Sequence, residues 1–162
     1  MKIKTDLVRI AGRLKEIVTV RDENGHVHKI INSSMVEFYP RDLMQVIIGA
    51  TILAIPVAFT EETWNLGESL PLLNVFGLLI LSLIFISSFV YYNFYRYDFK
   101  EHKDEFIKRV FSIYIASFLV VTVILALIQR APWNTDFILA FKRTAIVSFP
   151  ASMSAAISDM IK

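Results

Sequence analysis

Apolar residues are gathered into four long blocks separated by polar segments: Leu43 to Phe59, Leu72 to Tyr92, Val110 to Ile128 and Phe137 to Ile161. Each reaches the ~17–25 residues that a helix needs to cross a hydrocarbon layer. The first three carry no charge in their central portions, whereas a helix on a soluble core keeps one polar face. The pattern predicts an all-α membrane domain of four transmembrane helices over residues 41–162. The fourth block is the odd one, because Lys142, Arg143, Thr144, Ser148, Pro150, Ser152, Ser154, Ser158 and Asp159 interrupt it. It is built like a helix that meets protein or water.

Residues 1–40 have a different rhythm. Ile17 to Val20 and Val27 to Ile31 alternate apolar and polar around Asp22-Glu23-Asn24-Gly25, and Asn-Gly is the strongest short hairpin signal because both residues accept positive φ. A small β-hairpin module is predicted, with Val18, Val20, Val27 and Ile31 on one face. A lone hairpin is marginal in water. It is therefore expected to pack on the preceding segment (Leu7, Val8, Ile10, Leu14), on the membrane helices or on a copy of itself. A partly ordered basic tail is the open alternative. No apolar run of signal-peptide length precedes the first block, so no cleaved leader is expected.

Composition fits this layout: 162 residues, 55% hydrophobic, with a mean hydropathy of +0.53. The net charge of +2 is less informative than its distribution. Lys2, Lys4, Arg9, Arg13, Lys15, Arg21, Lys29 and Arg41 precede block one. Arg96, Lys100, Lys103, Lys108 and Arg109 lie between blocks two and three, and Lys162 ends the chain. Arg130, Lys142 and Arg143 remain for the other side. The positive-inside rule then places both termini of a multi-pass cell-membrane protein in the cytoplasm. Trp64 and Trp133 fall in the outer loops, and Tyr91, Tyr92, Tyr95 and Tyr97 form an inner aromatic belt.

Along block four, helical spacing sets Ala145, Ser148, Ser152, Ala155 and Asp159 on one face. Block one has a matching small face in Ala50, Ala54 and Ala58, so the two blocks are expected to touch, since small residues let backbones approach closely in lipid. Glu61 and Glu62, read as the end of the first helix, share the outer surface with Lys142 and Arg143. Two readings stand. These residues form packing seams and an interfacial ion cluster, or Glu61 and Glu62 attract a cation at a vestibule while Ser148, Ser152 and Asp159 line a wetted path. E-F-x-x-R recurs at Glu37–Arg41 and Glu105–Arg109, and Trp-Asn at Trp64–Asn65 and Trp133–Asn134. Two tandem helical hairpins are one reading of that recurrence, coincidence the other.

Other chemistry is missing from the sequence. There is no cysteine, no Ser-His-Asp order, no HExxH helix and no phosphate-cradling glycine loop. His26 and His28 read as a solvated strand face. No enzyme activity, metal, cofactor or nucleic-acid partner is expected.

The strings Phe59–Pro71 (FTEETWNLGESLP), Phe89–Arg96 (FVYYNFYR), Arg130–Trp133 (RAPW) and Lys142–Ser152 (KRTAIVSFPAS) resemble a family of small prokaryotic integral-membrane proteins that carries no assigned function. The resemblance covers about Arg41 to the C-terminus and leaves the hairpin module outside. It implies a multi-span membrane fold and transfers no catalytic or transport residue. The expected function is an oligomeric channel or transporter for small ions. The alternative is a non-conducting scaffold or accessory subunit that binds a partner through its N-terminal module.

Overall fold

The computed structural model describes residues 2–10, 13–21, 27–33, 38–96, 99 and 102–161. The chain divides into two compact units, Met1–Phe38 and Tyr39–Lys162. The first unit is a three-stranded antiparallel sheet of β1 (Lys2–Ile10), β2 (Arg13–Arg21) and β3 (Val27–Ser33), in that order. The expected hairpin is thus two strands of three, and the segment holding Leu7, Val8 and Ile10 is itself a strand paired with β2.

The register corrects the expected face. Val18 pairs with Ile30 and Ile17 with Ile31, so Val18 and Val20 lie on one face and Val27 and Ile31 on the other. Grouping all four together presumed a two-residue Asn24-Gly25 turn, which would pair Val18 with Ile31. The observed pairing of Arg21 with Val27 leaves residues 22–26 as the connection. That shifts the register by one, and a one-residue slip turns every side chain to the opposite face. The turn itself, Asp22 to Gly25, and His26 lie outside the described residues, as do Glu37 and Tyr97.

The second unit is helical: α1 (Pro40–Ala58), α2 (Glu61–Ser69), α3 (Leu72–Val90), α4 (Lys103–Leu127) and α5 (Phe137–Met160), with α3 running on into a π-helical turn at Tyr91–Tyr95. Local chemistry explains the starts. Pro40 opens α1, where its missing N–H is no loss, and Asp42 accepts the Tyr39 N–H at 3.0 Å. Asp136 caps α5 by accepting the Leu139 N–H at 2.9 Å. Glu61 and Glu62 begin α2 and do not finish α1. Acidic residues favour the positive end of a helix dipole, so this pair marks a new N-terminus after the break at Thr60.

Among the described residues three helices are long and apolar enough to cross a membrane: α1, α3 with its π turn, and α4. They leave large apolar side chains exposed, including Ile48, Ile52, Leu73, Ile80, Phe111 and Leu119, a surface suited to lipid. The expectation of four spans is met for three of them. α5, at 24 residues, has the length of a span without the apolarity. It packs against α1, α2, α3 and α4, and most of its length from Ala140 to Asp159 is buried. A helix screened from lipid by neighbours has no need of an apolar surface of its own.

α5 continues without interruption through Pro150. The expected meeting of blocks one and four is present: Ala50, Ala54 and Ala58 are fully buried, and Gly49 abuts Ser154, Ala155 and Ser158 of α5. The tandem-hairpin reading gains little from the structure, since Trp64 sits inside α2 whereas Trp133 sits in a turn. Of the tyrosine belt, Tyr91 and Tyr92 are exposed while Tyr95 is fully buried.

Candidate functional site

At the end of the bundle where α1 begins and α5 finishes, three ionisable side chains from three helices meet in the interior. Asp42 comes from the first turn of α1, Arg109 from the second turn of α4 and Asp159 from the last turn of α5. Arg109 Nη2 lies 3.4 Å from Asp42 Oδ2, and Arg109 Nε lies 3.4 Å from Asp159 Oδ2. All three side chains are 0% exposed. The π turn brings Phe94 under the guanidinium, with its ring centre 3.9 Å from Cζ, a cation–π contact strengthened by desolvation. Tyr95 follows into the core and meets Phe106 edge-on at 5.5 Å.

The arrangement is expensive to build. Each charge removed from water costs several kcal/mol, about, and is offset only by close partners. Asp42 also gains from the α1 dipole, but Asp159 sits at the negative end of α5, where a carboxylate is disfavoured by roughly 0.3–1 kcal/mol. Arg109 offsets that disadvantage through its contact with Asp159 Oδ2. A planar fork with five donors can serve two carboxylates at once, which a lysine ammonium does less well.

The opposite end carries a second polar cluster. Arg143, at the start of α5, donates to Glu68 Oε1 at 2.6 Å, to the Arg130 carbonyl at 2.8 Å and to the Trp64 carbonyl at 3.4 Å. Lys142 donates to the Glu68 carbonyl at 3.1 Å. The Arg130 guanidinium lies 3.7 Å from the centre of the Trp64 ring, and Trp64 Nε1 donates to the Ala58 carbonyl at 2.7 Å. Glu68 is thus the acid brought to the basic pair, whereas Glu61 and Glu62 stand exposed in the first turn of α2. The structure brings Glu68, and not the expected Glu61 and Glu62, to Arg143, because Glu61 and Glu62 open α2 instead of ending α1.

Between the two clusters, the small face of α5 is packed against protein. Thr144 donates to the Ala140 carbonyl at 2.8 Å and Ser148 to the Thr144 carbonyl at 2.6 Å. Ser152 donates to the Phe149 carbonyl at 3.0 Å, and its oxygen lies 2.8 Å from Ser82 Oγ of α3. Ser148 and Ser152 are 1% and 0% exposed. Such back-bonding satisfies a hydroxyl without an interhelical partner. Interhelical hydrogen bonds in membranes average ~0.6 kcal/mol, so Ser148→Ala is expected to leave detergent stability within about 0.5 kcal/mol of wild type and Ser152→Ala within about 1 kcal/mol. Thermal or SDS-induced unfolding monitored on Trp64 and Trp133 checks this.

A groove of about 750 Å³ opens between α3 and α5, lined by Phe85, Phe89, Tyr92, Met153, Ala156 and Ile157 among others. Its walls are apolar, and it touches neither polar cluster.

Sequence reading found Asp159 and missed Asp42 and Arg109, both assigned to polar flanks. The signal was there. Asp42, Val46, Ala50, Ala54 and Ala58 recur every four residues, as do Arg109, Ile113, Ser117, Val121 and Leu125, and every member of both stripes is buried. Extending each apolar stripe one turn past the block leads directly to the buried charge.

An apolar three-helix sheath with ionisable groups held inside it defines an integral membrane protein with several candidate spans. The chain belongs to the family described as "Putative integral membrane protein (DUF2391)", which matches residues 13–161. The match takes in β2 and β3, so the N-terminal module belongs in large part to the family and does not stand outside it. No curated protein and no solved structure matches the chain.

Proposed function

We propose that the protein is a transporter of a small cation, with α5 as a fourth span and Asp42, Arg109 and Asp159 as its ion-binding site. The observation that carries this reading is the complete burial of three ionisable side chains from three helices. Ionisable groups buried among membrane helices mark ion pathways and proton relays, and these three meet at one end of the bundle, in the opening turns of α1 and α4 and the last turn of α5. A cation reaching Asp42 and Asp159 competes with the Arg109 guanidinium for the same oxygens. Loading the site then loosens the contact between α4 and the ends of α1 and α5. The Arg143–Glu68 clamp closes the far end of α5 in this conformation. The packed hydroxyl face favours a transporter that changes conformation over a channel with a standing water column.

In this reading both termini are cytoplasmic in the cell membrane, the orientation that the Lys and Arg distribution favours, and the working unit is a homo-oligomer. It includes no enzymatic step and no cofactor. Reconstitution in liposomes with flux assays for K⁺, Na⁺, Ca²⁺, H⁺ and Cl⁻ tests it. Wild type is expected to move one cation, and Asp159→Asn to lose that flux while remaining folded. Glu61→Gln/Glu62→Gln is expected to retain both flux and stability, since both side chains are exposed. Silence for every ion would instead favour a non-conducting scaffold or accessory subunit, a reading supported by the internally bonded hydroxyls of α5.

A further inference from the structure

The groove between α3 and α5 lies within a candidate span, and its two ends differ in chemistry. Ile86 and Ala156 form its floor, 1% and 2% exposed, with Phe85 and Phe89 on the α3 side and Met153 and Ile157 on the α5 side. At one end Phe85 meets Phe149 of α5 edge-on, with ring centres 6.3 Å apart. At the other end the π turn supplies Tyr92 and Asn93; π turns recur at functional sites. There the exposed Arg96 stands over the Tyr92 ring, 4.9 Å from its centre, and donates from Nη1 to the Tyr92 hydroxyl at 3.1 Å. That hydroxyl keeps its own hydrogen to donate. The groove thus runs from an aromatic end to one that offers a cation and a hydroxyl donor.

We propose that this groove binds one anionic phospholipid, with an acyl chain along Phe89 and Ile157 and the phosphate at Arg96 and Tyr92. Length and charge select that occupant. From Phe85 to Asn93 the wall is about 12 Å long at the rise of a helix. That is most of the depth of one leaflet, half of a ~30 Å hydrocarbon core. A transmembrane helix from a second copy runs through both leaflets, whereas this seat ends where Phe85 meets Phe149. A guanidinium matches the fork of a phosphate, and a tyrosine hydroxyl suits the headgroup level. The choline of a zwitterionic lipid would set a second cation beside Arg96, so a headgroup of net negative charge is preferred. The site requires that α3 spans the bilayer and is independent of ion transport.

Tryptophan quenching by brominated lipid tests this on the full chain. Phe89→Trp places a reporter in the groove, and Ile84→Trp places one on an outward face of α3, at a position 54% exposed and outside the groove. Each variant is reconstituted in phosphatidylcholine with a minor fraction of phosphatidylglycerol, and the bromine is carried by one lipid or the other. The signal of Trp64 and Trp133 is subtracted with the wild-type chain. Brominated phosphatidylglycerol is expected to quench position 89 about fivefold more than its mole fraction predicts, the preference one basic residue gives at an anionic site. Position 84 should follow the mole fraction. Adding Arg96→Gln should return position 89 to the mole fraction, with position 84 unchanged as a check that α3 keeps its place in the bilayer. Ala156→Leu, which fills the floor, should weaken quenching at position 89 by either lipid. Quenching at position 89 in proportion to mole fraction for both lipids would overturn the proposal, as would an enrichment that survives Arg96→Gln. Weak quenching at position 89 by both lipids that rises on diluting the protein in the bilayer would also overturn it, giving the groove to a second copy.

Discussion

Arg109→Met should destabilise the helical unit by about 3–5 kcal/mol, the cost of breaking a buried ion pair by removing one partner. Methionine approximates the length of the arginine stem, so packing on Phe94 is largely kept and the loss is electrostatic. What remains is two carboxylates, Asp42 and Asp159, with no guanidinium between them at 3.4 Å from each. Arg109→Lys should recover only part of the loss, because a point charge on a flexible stem cannot present Nε and Nη2 to two acids in one plane. The diagnostic comparison is the triple variant Asp42→Asn/Arg109→Met/Asp159→Asn. Replacing a buried ionic group as a whole is often neutral or stabilising, so the triple variant should be more stable than Arg109→Met alone. Unfolding midpoints in one detergent, read on tryptophan fluorescence, decide this. If all single variants match wild type, the three groups are not the dry cluster described above.

Gly49→Leu should be the most disruptive apolar substitution in the unit. Even the first carbon of a side chain at Gly49 would lie 2.9 Å from the Ser154 carbonyl oxygen and 3.0 Å from Ala155 Cα. Those are backbone atoms, which cannot rotate away, so α1 and α5 must separate. Overpacking of this kind costs about 1–3 kcal/mol, and the same separation pulls Asp42 away from Arg109. Gly49→Ala should already cost part of that amount. Gly77→Ala is the control: nothing lies within 4 Å of the position, and replacing a helical glycine gains up to about 1 kcal/mol in propensity. The two glycine-to-alanine variants should therefore shift Tm in opposite directions.

Much of this architecture is legible in the sequence, and the errors have local causes. Apolar content alone puts the starts of blocks two and four at Leu72 and Phe137, and α3 and α5 begin there, directly after Pro71 and Asp136. Apolar content alone starts the third block at Val110, whereas the helix begins at Lys103 and its polar first turns carry Arg109 into the bundle. The sheet's faces were assigned one residue out of register because five connecting residues, not two, join β2 to β3. Glu68 could not be singled out over Glu61 and Glu62, since helix α2 aims it at Arg143. There Gly67 lets the Arg143 side chain lie directly on the backbone. The polar character of α5 was read correctly as contact with something other than lipid. That the something is three apolar helices of the same chain depends on tertiary packing, which a hydropathy pattern does not encode.

In the proposed reading α5 crosses the bilayer as a polar helix packed among α1, α3 and α4. Single cysteines in the naturally cysteine-free chain test it at the two ends of α5. Asn134 precedes the helix in an exposed turn, and Ile161 follows it and is 67% exposed. In intact cells a membrane-impermeant thiol reagent should label Asn134→Cys and spare Ile161→Cys until the membrane is opened. Labelling of both positions from the same side would contradict the account, because α5 would then enter and leave the bilayer on one face.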